Sequence, residues 1–179
     1  MQASVVLTLP GWQGSGPDHW QSLWERQLGC QRVEQHDWLR PLRGDWVARL
    51  EDVVQSTPGP LVLCAHSLGC QLVAAWASLS SSVHKVKAAM LVAPGDPQQA
   101  PLAQLLTTWS APVMQPLAFP STVVASTNDP YCRFERAGAF ASAWGSDLCS
   151  LGACGHINDE SDLADWPQGQ ELLRALREL

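Results

Sequence analysis

Apolar residues gather in six short runs, at positions 4–9, 30–35, 61–65, 88–93, 122–126 and 148–153, each followed by a polar or glycine-bearing break. Runs of this length, rich in Val, Leu, Ala and Cys, predict β-strands buried on both faces. Between and after them, segments 20–28, 44–54, 69–79, 102–109, 133–144 and 172–177 carry helix-compatible spacing of apolar and polar positions. Such alternation predicts right-handed β-α-β units: a three-layer α/β fold with a mainly parallel six-stranded sheet and helices on both faces. Ligands of such sheets meet the carboxyl ends of the strands. No linker, composition shift or internal repeat interrupts the pattern, so residues 1–179 are expected to form one domain. The proline-rich span 94–120 is its least regular part and is read as an excursion on the sheet's rim, bordering the pocket.

One serine stands where strand gives way to helix. Ala65-His66-Ser67-Leu68-Gly69 follows the run Leu61-Val62-Leu63-Cys64 and precedes the helical stretch beginning at Cys70. In a nucleophile elbow a tight strand-to-helix turn projects the hydroxyl above the sheet, and small residues two before and two after it let strand and helix approach. Gly69 keeps the second small position, while Ala65, the next smallest residue, replaces the first glycine.

An activated serine needs a base to take its proton and an acid to orient that base, and in hydrolases of this type the chain order is serine, acid, histidine. The sixth run leads into Gly152-Ala153-Cys154-Gly155-His156, which makes His156 the best base. The fifth ends in Thr127-Asn128-Asp129-Pro130, which makes Asp129 the best acid. Asp96, after the fourth run, stands second for that role. His66 is read as a packing or supporting residue, and of the remaining histidines His19 alone is placed near the site. The oxyanion would be bound by the backbone N–H of Leu68, at a helix start, and by that of Trp12 in the loop Pro10-Gly11-Trp12-Gln13-Gly14-Ser15-Gly16. That loop has neither a P-loop nor a dinucleotide fingerprint.

Composition narrows the partners. The chain has 46% hydrophobic and 16% charged residues and a net charge of −6, with a pI near 5.2. This gives no footprint for nucleic acid or an anionic membrane and favours a small-molecule or a protein partner, the small molecule being an acyl substrate where Ser67 is the nucleophile. Without a signal-peptide pattern at Met1-Gln2-Ala3-Ser4-Val5 or an apolar run long enough to span a bilayer, the chain is expected to be cytoplasmic. Six cysteines without a C-x-x-C pair argue against zinc or disulfides, so neither metal nor cofactor is expected. Nine tryptophans suggest an aromatic core or an apolar pocket, with Trp12, Trp20, Trp38 and Trp166 as candidate pocket walls.

The glycine-rich loop with His19-Trp20, the Ser67 elbow, Ser126-Thr127-Asn128-Asp129-Pro130-Tyr131-Cys132, and Gly155-His156-Ile157-Asn158 with Trp166-Pro167-Gln168-Gly169 together resemble the small α/β-hydrolases related to the retinoblastoma-binding-protein-nine serine hydrolase. The resemblance implies a compact α/β-hydrolase fold without a large lid, a Ser67-Asp129-His156 triad and serine hydrolase activity. The expected reaction is cleavage of a carboxylic ester, with thioester or small amide as variants, through an acyl-serine. The competing expectation is a protein-interaction module that keeps the scaffold and little turnover. Cysteine chemistry through Cys64, Cys70 or Cys132 ranks third, since no basic neighbour in sequence lowers a thiol pKa.

Overall fold

The computed structural model describes residues 4–179 of the chain. Met1, Gln2 and Ala3, part of the stretch read for a targeting signal, lie outside the described residues. Six strands, β1 (Val5–Leu9), β2 (Gln31–Arg32), β3 (Leu61–His66), β4 (Val86–Val92), β5 (Ser121–Ala125) and β6 (Asp147–Ser150), form one sheet in the order β2-β1-β3-β4-β5-β6. Every neighbouring pair is parallel. The central strand β3 is buried at every residue, as a parallel strand covered on both faces must be.

The chain runs outward from β1 to β2 and then crosses back to β3 on the far side of β1. Right-handed crossovers therefore put the helices before and after that reversal on opposite faces. Helices α2 (Arg43–Ser56), α3 (Leu68–Ala77) and α5 (Phe134–Trp144) contribute Trp46, Leu50, Leu72, Trp76 and Phe140 to one apolar layer. Helices α1 (Trp20–Leu28) and α6 (Pro167–Glu178) contribute Trp20, Trp24, Leu173 and Leu176 to the other. The reversal leaves a crevice at the carboxyl ends of β1 and β3, where such sheets bind their ligands.

Several expected boundaries are corrected. The second run yields a strand of two residues, because only Gln31 and Arg32 pair with β1 before the chain leaves the edge. The segment 102–109 divides into a single turn, α4 (Leu102–Leu105), and a 3-10 turn, Thr107–Trp109. The last helix starts at Pro167, five residues earlier than apolar spacing suggested, since proline's fixed φ suits a first helical position. No helix is long and apolar enough to cross a membrane, among the described residues.

Candidate active site

Ser67 adopts φ 55° and ψ −120°, a sparsely populated backbone conformation for a residue with a side chain. It is held there by its N–H donating to Val92 O at 3.0 Å and its carbonyl accepting from Cys70 N at 3.0 Å. The turn fits only because its neighbours are small. A Cβ on Gly69 would lie 2.2 Å from Leu9 O, so that position tolerates no side chain without backbone movement. Ala65, by contrast, is accommodated and fully buried on β3, which explains why the first glycine of the elbow is dispensable in this chain. Two further glycines enclose the serine: a Cβ on Gly11 would stand 2.8 Å from Ser67 Cβ, and one on Gly95 would stand 3.2 Å from Ser67 Oγ.

The loops after β5 and β6 bring an acid and an imidazole to this serine. His156 Nε2 lies 2.9 Å from Ser67 Oγ, and His156 Nδ1 lies 2.9 Å from each carboxylate oxygen of Asp129. A carboxylate only accepts, so Nδ1 carries the ring proton and Nε2 is left bare to accept from the hydroxyl. Asp129 Oδ1 also accepts from the Tyr131 N–H at 2.9 Å, and the Asp129 side chain is 3% exposed. Asp96 is engaged elsewhere, with Oδ2 3.3 Å from Arg136 Nε and Oδ1 accepting from Gln98 N. The structure thus brings Asp129, and not Asp96, to the imidazole.

The loop carrying His156 is held from four directions. Ser126 Oγ accepts from Cys154 N at 2.9 Å and Asn128 Oδ1 accepts from Gly155 N at 2.7 Å. Trp20 Nε1–H donates to Ile157 O at 2.8 Å and His66 Nε2–H to His156 O at 2.9 Å. His66 was read from sequence as a packing or supporting residue, whereas Ser126 and Asn128 were given no role of their own. The polar character of Ser126 and Asn128 at the end of a buried run was the available signal. Burial, reinforced by the neighbouring His19 and His156 rings, holds the His66 imidazole well below its ordinary pKa, and only the contact to the His156 backbone opposes this. His66 is therefore a neutral donor.

A cavity of about 390 Å³ opens over Ser67. Its walls include Gly11, Trp12, Gln13 and Gly14 from the loop after β1, His66 and Leu68 from the elbow, and Tyr131 and His156. Pro97, Leu102 and Leu106 also face it, so the proline-rich excursion does border the pocket. The backbone N–H groups of Leu68 and Trp12, both on cavity-lining residues, have no acceptor among the described residues.

The expectation that Trp20, Trp38 and Trp166 wall the pocket is corrected. Trp20 and Trp166 are each 1% exposed in the layer beneath α1 and α6, where their rings pack with Trp24. Trp38 lies under Gly14 and edge-on to Trp46, behind the wall instead of on it. An indole buries so much apolar area that the core claims it first. Trp12 alone of the four lines the cavity, its Nε1–H anchored to Leu39 O at 3.0 Å.

Among the described residues no group of three or more His, Cys, Asp or Glu converges as a metal site. Burial pushes the Cys64 and Cys70 thiols well above their ordinary pKa and Cys132 up to about 12, which removes thiolate character from all three.

Comparison with known proteins identifies the family. A family model described as serine hydrolase matches residues 6–175. The chain belongs to this serine hydrolase family. A crystal structure from Pectobacterium atrosepticum, described as a YdeN-like hydrolase, is 30% identical and superposes with a TM-score of 0.87, over 99% of this chain and 92% of that one. The ydeN gene product of Bacillus subtilis shares the fold at 19% identity and a TM-score of 0.80, covering 98% of this chain and 100% of that one. The esterase RhEst1 from Rhodococcus sp. does so at 13% identity and a TM-score of 0.69, over 98% and 90%. No curated protein matches the chain by sequence.

Proposed function

We propose that this serine hydrolase cleaves carboxylic esters through an acyl-Ser67 intermediate, with His156 as general base and acid and Asp129 as its orienting partner. The observation that carries this reading is the continuous path from Asp129 through His156 to Ser67 Oγ, every link 2.9 Å long. Ser67 Oγ attacks the ester carbonyl carbon while His156 Nε2 takes its proton, forming a tetrahedral oxyanion. The Leu68 and Trp12 N–H groups bind that oxyanion, the first with the added favour of the α3 N-terminus. Collapse breaks the bond to the leaving alcohol, which receives the proton from His156. Water then repeats the sequence, losing a proton to His156 and releasing the carboxylic acid and free Ser67. Asp129 stays ionised throughout and stabilises the imidazolium.

A cavity of about 390 Å³, with no covering domain among the described residues, suits small to medium acyl groups. The test is hydrolysis of p-nitrophenyl acetate, butyrate and octanoate by the wild type and Ser67→Ala, with fluorophosphonate labelling mapped by mass. Turnover and labelling lost together in Ser67→Ala are expected, with acetate and butyrate preferred over octanoate. Wild-type protein that neither turns over nor labels would overturn the reading in favour of an interaction module.

A further inference from the structure

Three of the nine tryptophans direct their indole N–H groups at one short stretch of chain. Trp46 Nε1–H donates to Asp37 O at 3.2 Å, Trp12 Nε1–H to Leu39 O at 3.0 Å and Trp109 Nε1–H to Pro41 O at 2.7 Å. Between the first two of these acceptors, Trp38 O accepts from the Gln13 N–H at 3.0 Å. Segment 37–41 is thus tied to α2 through Trp46 and to the 3-10 turn after Leu106 through Trp109. It also grips two consecutive residues, Trp12 and Gln13, of the loop after β1 that lines the cavity.

One carboxylate shapes that segment. Asp37 Oδ1 accepts from the N–H groups of Leu39 and Arg40, both at 2.9 Å, and Oδ2 lies 3.2 Å from Arg40 Nε. A trans peptide is planar, with its N–H and C=O pointing in opposite directions. Turning the Leu39 N–H towards the carboxylate therefore turns Trp38 O away from it, and turning the Arg40 N–H does the same to Leu39 O. Those are the two carbonyls that hold Gln13 and Trp12.

The loop they hold is strained. Gly14 N–H donates to Gly11 O at 3.0 Å, closing a turn in which Gln13 sits at φ 69°, a conformation that turns ordinarily reserve for glycine. Such a residue costs about 1–3 kcal/mol and persists only where its surroundings impose it. The turn starts at Gly11, where an added Cβ would stand 2.8 Å from Ser67 Cβ, so its geometry decides where the next N–H, that of Trp12, points beside the serine. Resting on the ester-hydrolase reading, we propose that Asp37 is a positioning residue for the oxyanion donor. Its carboxylate orients the Trp38 and Leu39 carbonyls, these clamp Gln13 and the Trp12 indole, and the clamp aims the Trp12 backbone N–H at the oxyanion formed on Ser67.

The test measures kcat and KM for p-nitrophenyl butyrate, and inhibition by n-butyl trifluoromethyl ketone, whose carbonyl carbon Ser67 attacks to leave a stable oxyanion. Wild type is compared with Asp37→Ala, Asp37→Asn, Trp12→Phe and the double variant Asp37→Ala/Trp12→Phe, all below their unfolding midpoints. Asn keeps an acceptor for the two N–H groups; Phe keeps a ring and the backbone N–H but removes the indole donor. Asp37→Ala and Trp12→Phe are each expected to lower kcat by about tenfold, with KM within about twofold, and to weaken the ketone by about tenfold. Asp37→Asn should stay within about twofold of wild type, and the double variant should lose no more than about threefold beyond either single one, because both act through one clamp. Wild-type behaviour in Asp37→Ala, equal losses in Ala and Asn, losses confined to KM, or losses that multiply in the double variant each overturn the proposal, while turnover by the wild type leaves the hydrolase reading standing. Wild type that neither turns over the ester nor binds the ketone removes both.

Discussion

His66 donates its Nε2–H to the carbonyl oxygen of His156 across 2.9 Å, so the residue preceding the proposed nucleophile holds the backbone of its proposed base. The elbow and the last loop are thereby locked together by a contact that does not involve Ser67 Oγ. A misplacement of about 1 Å at a catalytic group can cost on the order of 100-fold in rate. His66→Ala should therefore lower kcat by about 10- to 100-fold with a smaller change in KM, and His66→Gln, which keeps a distal donor, should recover most of it. Steady-state kinetics on p-nitrophenyl butyrate separates the two constants, and equal losses in Ala and Gln would remove His66 from any positioning role.

Asp129 and Asp96 both stand at strand ends, but only Asp129 reaches the imidazole. Asp129→Asn should cut kcat by on the order of 10⁴, because the amide disturbs the tautomer that His156 needs. Asp96→Asn breaks the pairing with Arg136 and should cost less than about tenfold. The reverse ranking would transfer the orienting role to Asp96.

Two buried imidazoles make the fold acid-sensitive. In the unfolded chain a histidine binds its proton near pH 6.5, whereas folded His19 binds it only near pH 4 and His66 lower than usual. The unfolded state thus binds more protons as pH falls, and the stabilisation present above pH 6.5 is lost progressively towards pH 4. Urea unfolding at pH 7.5, 6 and 5 should show stability declining, with a limiting slope of about 1.4 kcal/mol per pH unit for each imidazole. His19→Asn should flatten part of that decline, and an unchanged slope would refute the assignment.

Crowding at the serine separates activity from folding. Gly95→Ala places a methyl 3.2 Å from Ser67 Oγ and should lower turnover by about tenfold or more with little change in unfolding midpoint. Gly69→Ala places one 2.2 Å from the Leu9 carbonyl and should instead destabilise the fold by about 1–3 kcal/mol. Paired urea melts and p-nitrophenyl butyrate assays on both variants check the contrast.

Legibility from sequence followed the range of the interactions involved. Strands β3, β4 and β5 each carry an uninterrupted apolar stretch, Leu61 to Ala65, Ala88 to Val92 and Val123 to Ala125, because a strand covered on both faces has no polar side to show along its buried length. Helix α1 spans the residues its spacing indicates. Strand β2 was overestimated because edge pairing stops where a neighbour's hydrogen-bonding groups run out, which Val33 to Gln35 do not encode in their own side chains. The tryptophans were assigned to the pocket because an indole's preference for apolar surroundings is the same in a core and in a ligand wall. Only the packing of Trp20 against Trp24 and Trp166 decides between them.

The local chemistry is written in short stretches of chain: an elbow needs a strand, a small residue, a serine and a glycine within ten positions of one another, and those are adjacent in Leu61 to Gly69. Chain order likewise nominates an acid after β5 and a histidine after β6. Which acid meets that histidine, which histidine carries the loop of another and which glycine stands against the nucleophile depend on residues separated by 27 to 90 positions in sequence. Such contacts arise only when the sheet aligns its carboxyl edges and the loops are tied to one another across the crevice. His19 illustrates the difference. From sequence it is a loop histidine near the site, whereas burial on the cavity wall leaves it neutral with one free donor, because desolvation and cap geometry are properties of the assembled fold.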